Sequence, residues 1–204
     1  MSAPMASSQV SRGAFAAFAA CSAAALLRAS VRFSRQASSK APTDSKTVYS
    51  LTDVREMAKP MRLQGEVVRG FGRGGKLLGC PTANLDEKSF GNAVATSETG
   101  VYFGWAQLDG GAVHKMVTSI GWNPYFKNDK KTVEPHILHA FKGDFYGKTL
   151  TIVVCGYIRP ELNFDSMEAL VAAIENDKRI AEIALEDPRY AKYKDLLAES
   201  KHAK

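Results

Sequence analysis

Five short runs of apolar or alternating residues, separated by turn-forming residues, limit the fold of this chain more than any other feature of its sequence. The runs cover residues 62–68, 100–108, 112–120, 133–141 and 150–158. Alternation with a period of two and enrichment in Val, Ile, Tyr and Phe are typical of β-strands. Asp109-Gly110-Gly111 between the second and third runs predicts a tight hairpin, and residues 122–132 predict a longer, turn-rich loop.

The pattern changes from strand to helix after Pro160. Apolar residues then recur at helical spacing, at Met167, Leu170, Val171, Ile174, Ile180, Ile183 and Ala184. Asp165 and Glu168 predict the N-cap of this helix, and Pro188 predicts the start of a second, shorter helix over residues 187–200. Several strands followed by helices favour a mainly β fold, an antiparallel barrel with C-terminal α-helices.

The N-terminal residues differ in composition from the rest of the chain. Residues 1–43 contain no acidic residue, four Arg and many Ala and Ser, which is the composition of an organelle transit peptide. We interpret residues 1–45 as a transit peptide and linker, mitochondrial rather than plastid, and residues 46–204 as one folded domain. A secretory signal and a cytoplasmic tail are the alternatives. The apolar run within residues 1–45, residues 14–27, is too short to span a bilayer.

The cysteines and the charges narrow the class of protein. Three cysteines without metal-ligand spacing favour a reducing interior compartment over secretion. The net charge of +6 arises mostly from residues 1–45, which carry five basic residues and one acidic residue. The remainder has 22 basic and 20 acidic residues. A nearly neutral body argues against a broad nucleic-acid-binding surface.

A glycine-rich stretch contains two familiar fingerprints that the next residues contradict. Residues 70–75 match a Gly-x-Gly-x-x-Gly dinucleotide pattern, and residues 70–76 nearly complete a P-loop, but Leu77 stands where a P-loop has the Ser or Thr that binds magnesium. Both patterns need a helix directly after the glycines, and Gly79 and Pro81 exclude one. The glycines instead favour a loop whose backbone N–H groups approach an anion, or a plain surface turn.

The tetrapeptide Pro-Thr-Ala-Asn at residues 81–84 follows this stretch. On an extended segment, Thr82 and Asn84 face the same side because side chains alternate. A hydroxyl and an amide oxygen are hard ligands of the kind that magnesium accepts, together with several waters. The alternative is that both side chains only form hydrogen bonds within a turn.

These residues also carry a resemblance to a known family. The sequence resembles the riboflavin kinases, the flavokinases that phosphorylate riboflavin to FMN, over about residues 62–185. The matching stretches follow the order of the family: VVRGFGRGGKLLGCPTANL, TGVYFGWAQL, SIGWNPYFKNDKKTVEPHILHAF, DFYGKTL and GYIRPELNFDSMEAL.

The resemblance implies a fold, an activity and a set of ligands. It implies a six-stranded antiparallel Greek-key β-barrel that acts as a monomer and transfers the terminal phosphoryl group of ATP to the primary hydroxyl of the ribityl chain. Riboflavin and ATP would be the substrates, FMN the product and Mg²⁺ the metal. On the nucleotide side it implies contacts from Gly70, Lys76, Thr82, Asn84, His139 and Tyr146, with Thr82 and Asn84 also at the metal.

Glu134 matches the catalytic glutamate of the family. A carboxylate within hydrogen-bond reach helps an alcohol that loses its proton while it attacks ATP. The alternative from spacing alone is an exposed strand residue paired with Lys130 or Lys131. Pro135 has no N–H group and therefore predicts that this strand is an edge strand.

On the flavin side the resemblance implies four residues. An aromatic or apolar platform suits a flat ring, and an arginine suits a polar edge or a phosphate. The implied residues are Ile137, Arg159, Leu162 and Phe164. The competing hypotheses are a catalytically silent flavin- or nucleotide-binding barrel and a small-barrel nucleic-acid binder.

Overall fold

Six β-strands pair antiparallel in the part of the chain that the structure, a computed structural model, describes: residues 48–69, 81–122 and 130–198. The hydrogen-bonded order is β2-β1-β6-β3-β4-β5. The strands are β1 (Arg55–Val68), β2 (Asn84–Leu85), β3 (Gly100–Leu108), β4 (Val113–Trp122), β5 (Lys131–Ile137) and β6 (Thr149–Arg159). The predicted six-stranded antiparallel barrel is confirmed.

The barrel closes between the first and last strands of this order. Five antiparallel pairings lead from β2 to β5, so these two strands also run antiparallel to each other. The Ala83 N–H group donates to the Pro135 carbonyl across the closure at 2.7 Å. In an antiparallel pair such a bond joins residues that lie directly opposite. Pro135 has no N–H group to return the bond, which agrees with the predicted edge character of β5.

The hairpin between β3 and β4 is the one that the sequence predicts. Asp109 and Gly110 both have positive φ, 49° and 68°, and Gly111 N–H donates to the Leu108 carbonyl at 2.8 Å. Two consecutive left-handed residues define a type I′ turn, whose twist matches that of the flanking strands.

β1 begins earlier than predicted, because a register shift between Glu56 and Met61 accommodates residues 57–60.

The predicted end of β5 and the predicted N-cap of the first helix are wrong. β5 ends at Ile137 and not at Phe141, because His139 N–H donates to the Ile137 carbonyl at 2.8 Å in a tight turn that leaves the strand. The first helix, α1 (Met167–Ala184), is capped by Ser166 and not by the predicted Asp165. The Ser166 hydroxyl accepts a hydrogen bond from Ala169 N–H at 3.1 Å.

The second predicted helix is interrupted. It comprises α2 (Pro188–Ala191), the 3₁₀ turn Lys192–Lys194 and α3 (Asp195–Ala198). Pro188 lies in its first turn as predicted. In the described part of the chain, three further 3₁₀ turns cover Leu51–Asp53, Glu87–Ser89 and Gly91–Val94.

Two apolar cores lie on the two faces of the sheet. The barrel interior contains side chains of alternate strand residues such as Ala106, Ile120 and Ile152, all fully buried. The second core lies between the outer face of β3, β4 and β6 and the C-terminal helices, and it includes Trp105 of β3 and Ile180 of α1. The helices therefore cover part of the outer surface and leave the β2–β5 side for a site. Among the described residues, none of the helices is long and apolar enough to span a membrane.

Candidate active site

β5 presents its alternate residues to opposite sides of the barrel wall. Lys131, Val133, Pro135 and Ile137 are buried, whereas the residues between them are only partly buried. This alternation is what a period of two produces when one face packs on the core. Glu134 therefore projects from the outer surface of the barrel.

The barrel closure brings the Pro-Thr-Ala-Asn segment to the same surface. Because Ala83 lies opposite Pro135, the antiparallel register places Asn84 beside Glu134 and Thr82 in the position next to His136. Ala83 and Leu85 are buried in the barrel, while Thr82 is exposed and Asn84 partly buried. A carboxylate and two neutral side-chain oxygens thus share one outer face.

Glu134 has one polar neighbour on the adjacent strand β4 and another on its own strand β5. Ser119 of β4 lies directly opposite Glu134 in the ladder, and the Thr132 hydroxyl lies 3.4 Å from Glu134 Oε1. The lysines that spacing alone suggested as partners have other contacts: Lys130 forms an ion pair with Glu87 at 2.9 Å. Lys131 is 7% exposed, and its ammonium group donates to the Ala95 carbonyl at 2.8 Å.

The structure adds a second carboxylate, Glu161, that the sequence interpretation did not single out. Its carboxylate lies over Gly121, where a Cβ atom would be only 2.1 Å from Glu161 Oε1. Burial raises the pKa of the Glu161 carboxyl, Arg159 opposes this rise, Glu134 adds to it and Lys131 opposes it. Glu161 therefore belongs to the electrostatic surroundings of Glu134. No spacing rule in the sequence distinguishes Glu161 from the other acidic residues.

Arg159 occupies a buried ion pair at the end of β6. Its Nε donates to Asp177 Oδ1 at 2.9 Å, and its terminal nitrogen donates to Asp177 Oδ2 at 2.7 Å. Both side chains are almost fully buried. The pair joins β6 to α1 and so holds the ends of the intervening segment, residues 160–166. Asp177 was also absent from the sequence interpretation, since nothing local distinguishes it from other helical acids.

Two predicted flavin-side residues lie in this segment. Leu162 and Phe164 are both partly buried, and the guanidinium carbon of Arg159 lies 5.7 Å from the centre of the Phe164 ring. A flat apolar surface of this kind suits an aromatic ligand. Their contact with a flavin stays a prediction.

A cleft of about 410 Å³ opens beside the Pro-Thr-Ala-Asn segment. It is lined by three residues predicted on the nucleotide side, Thr82, His139 and Tyr146. Ile137, predicted on the flavin side, lines the same cleft, and its side chain packs in the barrel core. Gly70 and Lys76 lie outside the described residues.

Aromatic rings form one wall of this cleft. His139 stacks on His114 with ring centres 4.1 Å apart and meets the edge of Phe141 at 4.9 Å. Phe141 in turn contacts Phe145 at 4.9 Å. Burial lowers the pKa of His114, and the stacked His139 ring lowers it further. The His114 ring therefore favours its uncharged form, and the aromatic rings of this wall suit a flat heterocyclic ligand.

Comparison with known proteins places this site in a family. The family model described as "Flavokinase: Riboflavin kinase" matches residues 57–185. The human and mouse riboflavin kinases are each 54% identical over 136 residues, which cover 67% of this chain and 88% of theirs. A bifunctional riboflavin kinase/FMN phosphatase of Arabidopsis thaliana is 54% identical over 135 residues, which cover 66% of this chain and 36% of that protein.

A solved structure agrees with this comparison. The crystal structure of riboflavin kinase from Trypanosoma brucei is similar with a TM-score of 0.53 and 31% sequence identity, over 66% of this chain and 85% of that one. The family model alone spans more than half of the sequence, and it includes all of the partners gathered around Glu134. The chain belongs to the riboflavin kinase family.

Proposed function

We propose that this chain makes FMN by transferring the terminal phosphoryl group of ATP to the primary hydroxyl of the riboflavin ribityl chain, with Glu134 as the base. The observation that carries the proposal is the barrel closure, which brings Glu134 next to Asn84 and near Thr82 on one outer face. A base and phosphate-side ligands must be neighbours for an in-line transfer.

Glu134 is suited to receive the proton of the attacking hydroxyl. It is partly buried, so that its carboxylate stays reachable from the outer face while the strand fixes its backbone. Ser119 and Thr132 on either side supply hydroxyl groups that can hold the carboxylate in one orientation. A positioned base of this kind contributes roughly 10²- to 10⁴-fold to the rate.

Thr82 and Asn84 fit a magnesium ion by the chemistry of their oxygens. Both are neutral, hard donors, and they lie on the same outer side of the Pro-Thr-Ala-Asn segment because Ala83 and Leu85 are buried in the core. Magnesium takes few protein ligands and completes its shell with water and phosphate oxygens. A bound ion would neutralise charge on the phosphates and so lower the barrier to transfer.

The two substrates are assigned to two different parts of the site. The cleft lined by Thr82, His139 and Tyr146 would take the nucleotide, since its aromatic wall suits a flat base. The segment that carries Leu162 and Phe164 would take the flavin ring. Transfer would then occur between them, at Glu134. The contacts of Ile137 and Arg159 with the flavin stay predictions.

The test of this function is Glu134→Gln in the full chain. This substitution keeps the size of the side chain and removes its ability to accept a proton, so we expect FMN formation to fall by about 10²-fold or more while ATP and riboflavin still bind. The matched control is Glu66→Gln, an exposed glutamate on β1, which should leave turnover unchanged. Full turnover in Glu134→Gln would refute the role of this residue.

A silent binding barrel is the alternative, and the same assay separates the two functions. Wild-type chain supplied with ATP, magnesium and riboflavin should form FMN, detectable by chromatography of the flavins. Binding of riboflavin without any FMN would favour the silent barrel instead.

We also propose that residues 1–45, which lie outside the described residues, direct the chain to mitochondria. Their basic, acid-poor composition supports this proposal. Residues 1–45 fused to a fluorescent reporter should carry it into mitochondria. Reporter fluorescence in plastids, in the secretory pathway or in the cytoplasm would refute this destination.

A further inference from the structure

The closure of the barrel has a gap in its ladder at Pro135. In a hydrogen-bonded pair of an antiparallel ladder, the two facing residues exchange two backbone hydrogen bonds. Here Ala83 N–H donates to the Pro135 carbonyl at 2.7 Å, and the return bond cannot form because proline has no N–H group. The segment that carries Thr82 therefore needs another attachment to β5.

The side chain of His136 supplies that attachment. Its Nδ1 lies 2.8 Å from the carbonyl oxygen of Pro81. A carbonyl oxygen only accepts, so the Nδ1 atom carries the hydrogen and donates it. Thr82 thus lies between Pro81, which is bound to β5 through its carbonyl, and Ala83, which is bound to β5 through its N–H group.

We propose that His136 is a positioning residue for phosphoryl transfer, which holds the Pro81 carbonyl and thereby fixes the side chain of Thr82 toward the nucleotide phosphates and their metal. This inference rests on the proposed function of Thr82. β2 contributes only two residues to the pairing with β1, at Asn84 and Leu85. Thr82 lies before that pairing begins, so its position depends on the contacts across the closure.

The role is that of a hydrogen-bond donor and not of a proton carrier. Burial lowers the pKa of His136, the Pro81 carbonyl opposes this, and Lys178 and Glu175 of α1 act on the ring in opposite directions. Glu134 lies two residues before it on the same face of β5. The Nδ1–H group is present in the protonated ring and in one neutral tautomer. The contribution of His136 should therefore change little with pH.

Two substitutions separate the donor from the bulk of the ring. The amide nitrogen of an asparagine can occupy nearly the place of Nδ1, whereas leucine fills similar space without a donor. Because one hydrogen bond changes an equilibrium roughly 3- to 10-fold, we expect His136→Leu to weaken binding of ADP with magnesium by about that factor. The same variant should raise the KM for ATP and lower turnover.

In His136→Asn, the binding of ADP with magnesium, the KM for ATP and the turnover should all stay within about twofold of the wild-type values. Binding of riboflavin, followed by quenching of its fluorescence, should be unchanged in both variants, which separates local positioning from a general loss of structure. Unchanged ADP and magnesium binding in His136→Leu would overturn the proposal. So would equal losses in the leucine and asparagine variants, because a purely structural role does not distinguish them.

A measurement without catalysis tests the contact itself. ¹⁵N spectra of the imidazole ring in the full chain should show His136 as the Nδ1–H tautomer when neutral, and the Nε2–H tautomer would overturn the proposal. If the wild-type chain makes no FMN, the proposed function fails. Calorimetric titration with ADP and magnesium, together with the tautomer, still decides the positioning role of His136.

Discussion

Replacing Asp177 by alanine should destabilise this protein more than replacing any surface acid. Arg159 and Asp177 are only 5% and 3% exposed, and the guanidinium group contacts both carboxylate oxygens. Removal of Asp177 leaves a buried positive charge without a counter-ion. Breaking a buried pair in this way costs about 3–5 kcal/mol, whereas an exposed pair contributes roughly 0–1 kcal/mol.

The expected loss can be converted into a melting temperature. For a domain of about 150 residues, 1 kcal/mol corresponds to about 2–4 °C, so Asp177→Ala should lower the Tm by about 6–20 °C. Urea unfolding followed by circular dichroism gives the free energy directly. Lys178→Ala is the control on the same helix, because its exposed pair with Glu175 should contribute less than about 1 kcal/mol.

A double substitution tests the cause of the loss. Arg159→Met with Asp177→Leu removes both charges and fills similar space, so it should recover much of the stability that Asp177→Ala loses. A loss below about 1 kcal/mol in Asp177→Ala would refute the reasoning. A double variant no more stable than Asp177→Ala would also refute it, because the damage would then not come from the unpaired charge.

Two further predictions concern the site and its pH dependence. Gly121→Ala places a Cβ atom against the flexible carboxylate of Glu161, so turnover should fall while the Tm changes by less than about 4 °C; full turnover would show that the place of Glu161 is unimportant. The lowered pKa of His114 means that the unfolded chain binds this proton more readily. Its contribution to stability is therefore complete above about pH 6.5 and is lost as the pH falls. Urea unfolding of His114→Phe at a series of pH values should show a smaller loss of unfolding free energy in acid than the wild type shows. The same pH dependence of this free energy in both proteins would contradict the prediction.

The sequence predicts the strands because their signal is local. The short apolar runs of β3 and β6 and the two left-handed residues at Asp109 and Gly110 depend on neighbouring residues alone. The end of β5 could not be found in this way. Residues 133–141 are apolar enough to continue as a strand, and the turn at His139 forms through a backbone bond to Ile137.

The site was only partly predictable for a related reason. Glu134 and the Pro-Thr-Ala-Asn segment carry a family pattern, so their positions could be carried over from a resemblance. Glu161 and Asp177 are each one acidic residue among 21 in the chain, and no spacing rule selects them. Their importance arises from long-range packing, over Gly121 in one case and against Arg159 in the other.

Pro135 weakens the backbone pairing at the barrel closure, where the candidate site lies. A proline weakens a ladder, and strands avoid it except at edges; here it removes one of the two backbone bonds that would join β5 to the segment of Thr82. A fully paired wall would leave this segment no need for a side-chain anchor. With the ladder incomplete, a side chain, His136, completes the joint at the Pro81 carbonyl. The position of Thr82 relative to Glu134 therefore depends on one donor that substitution can remove while the rest of the barrel is kept.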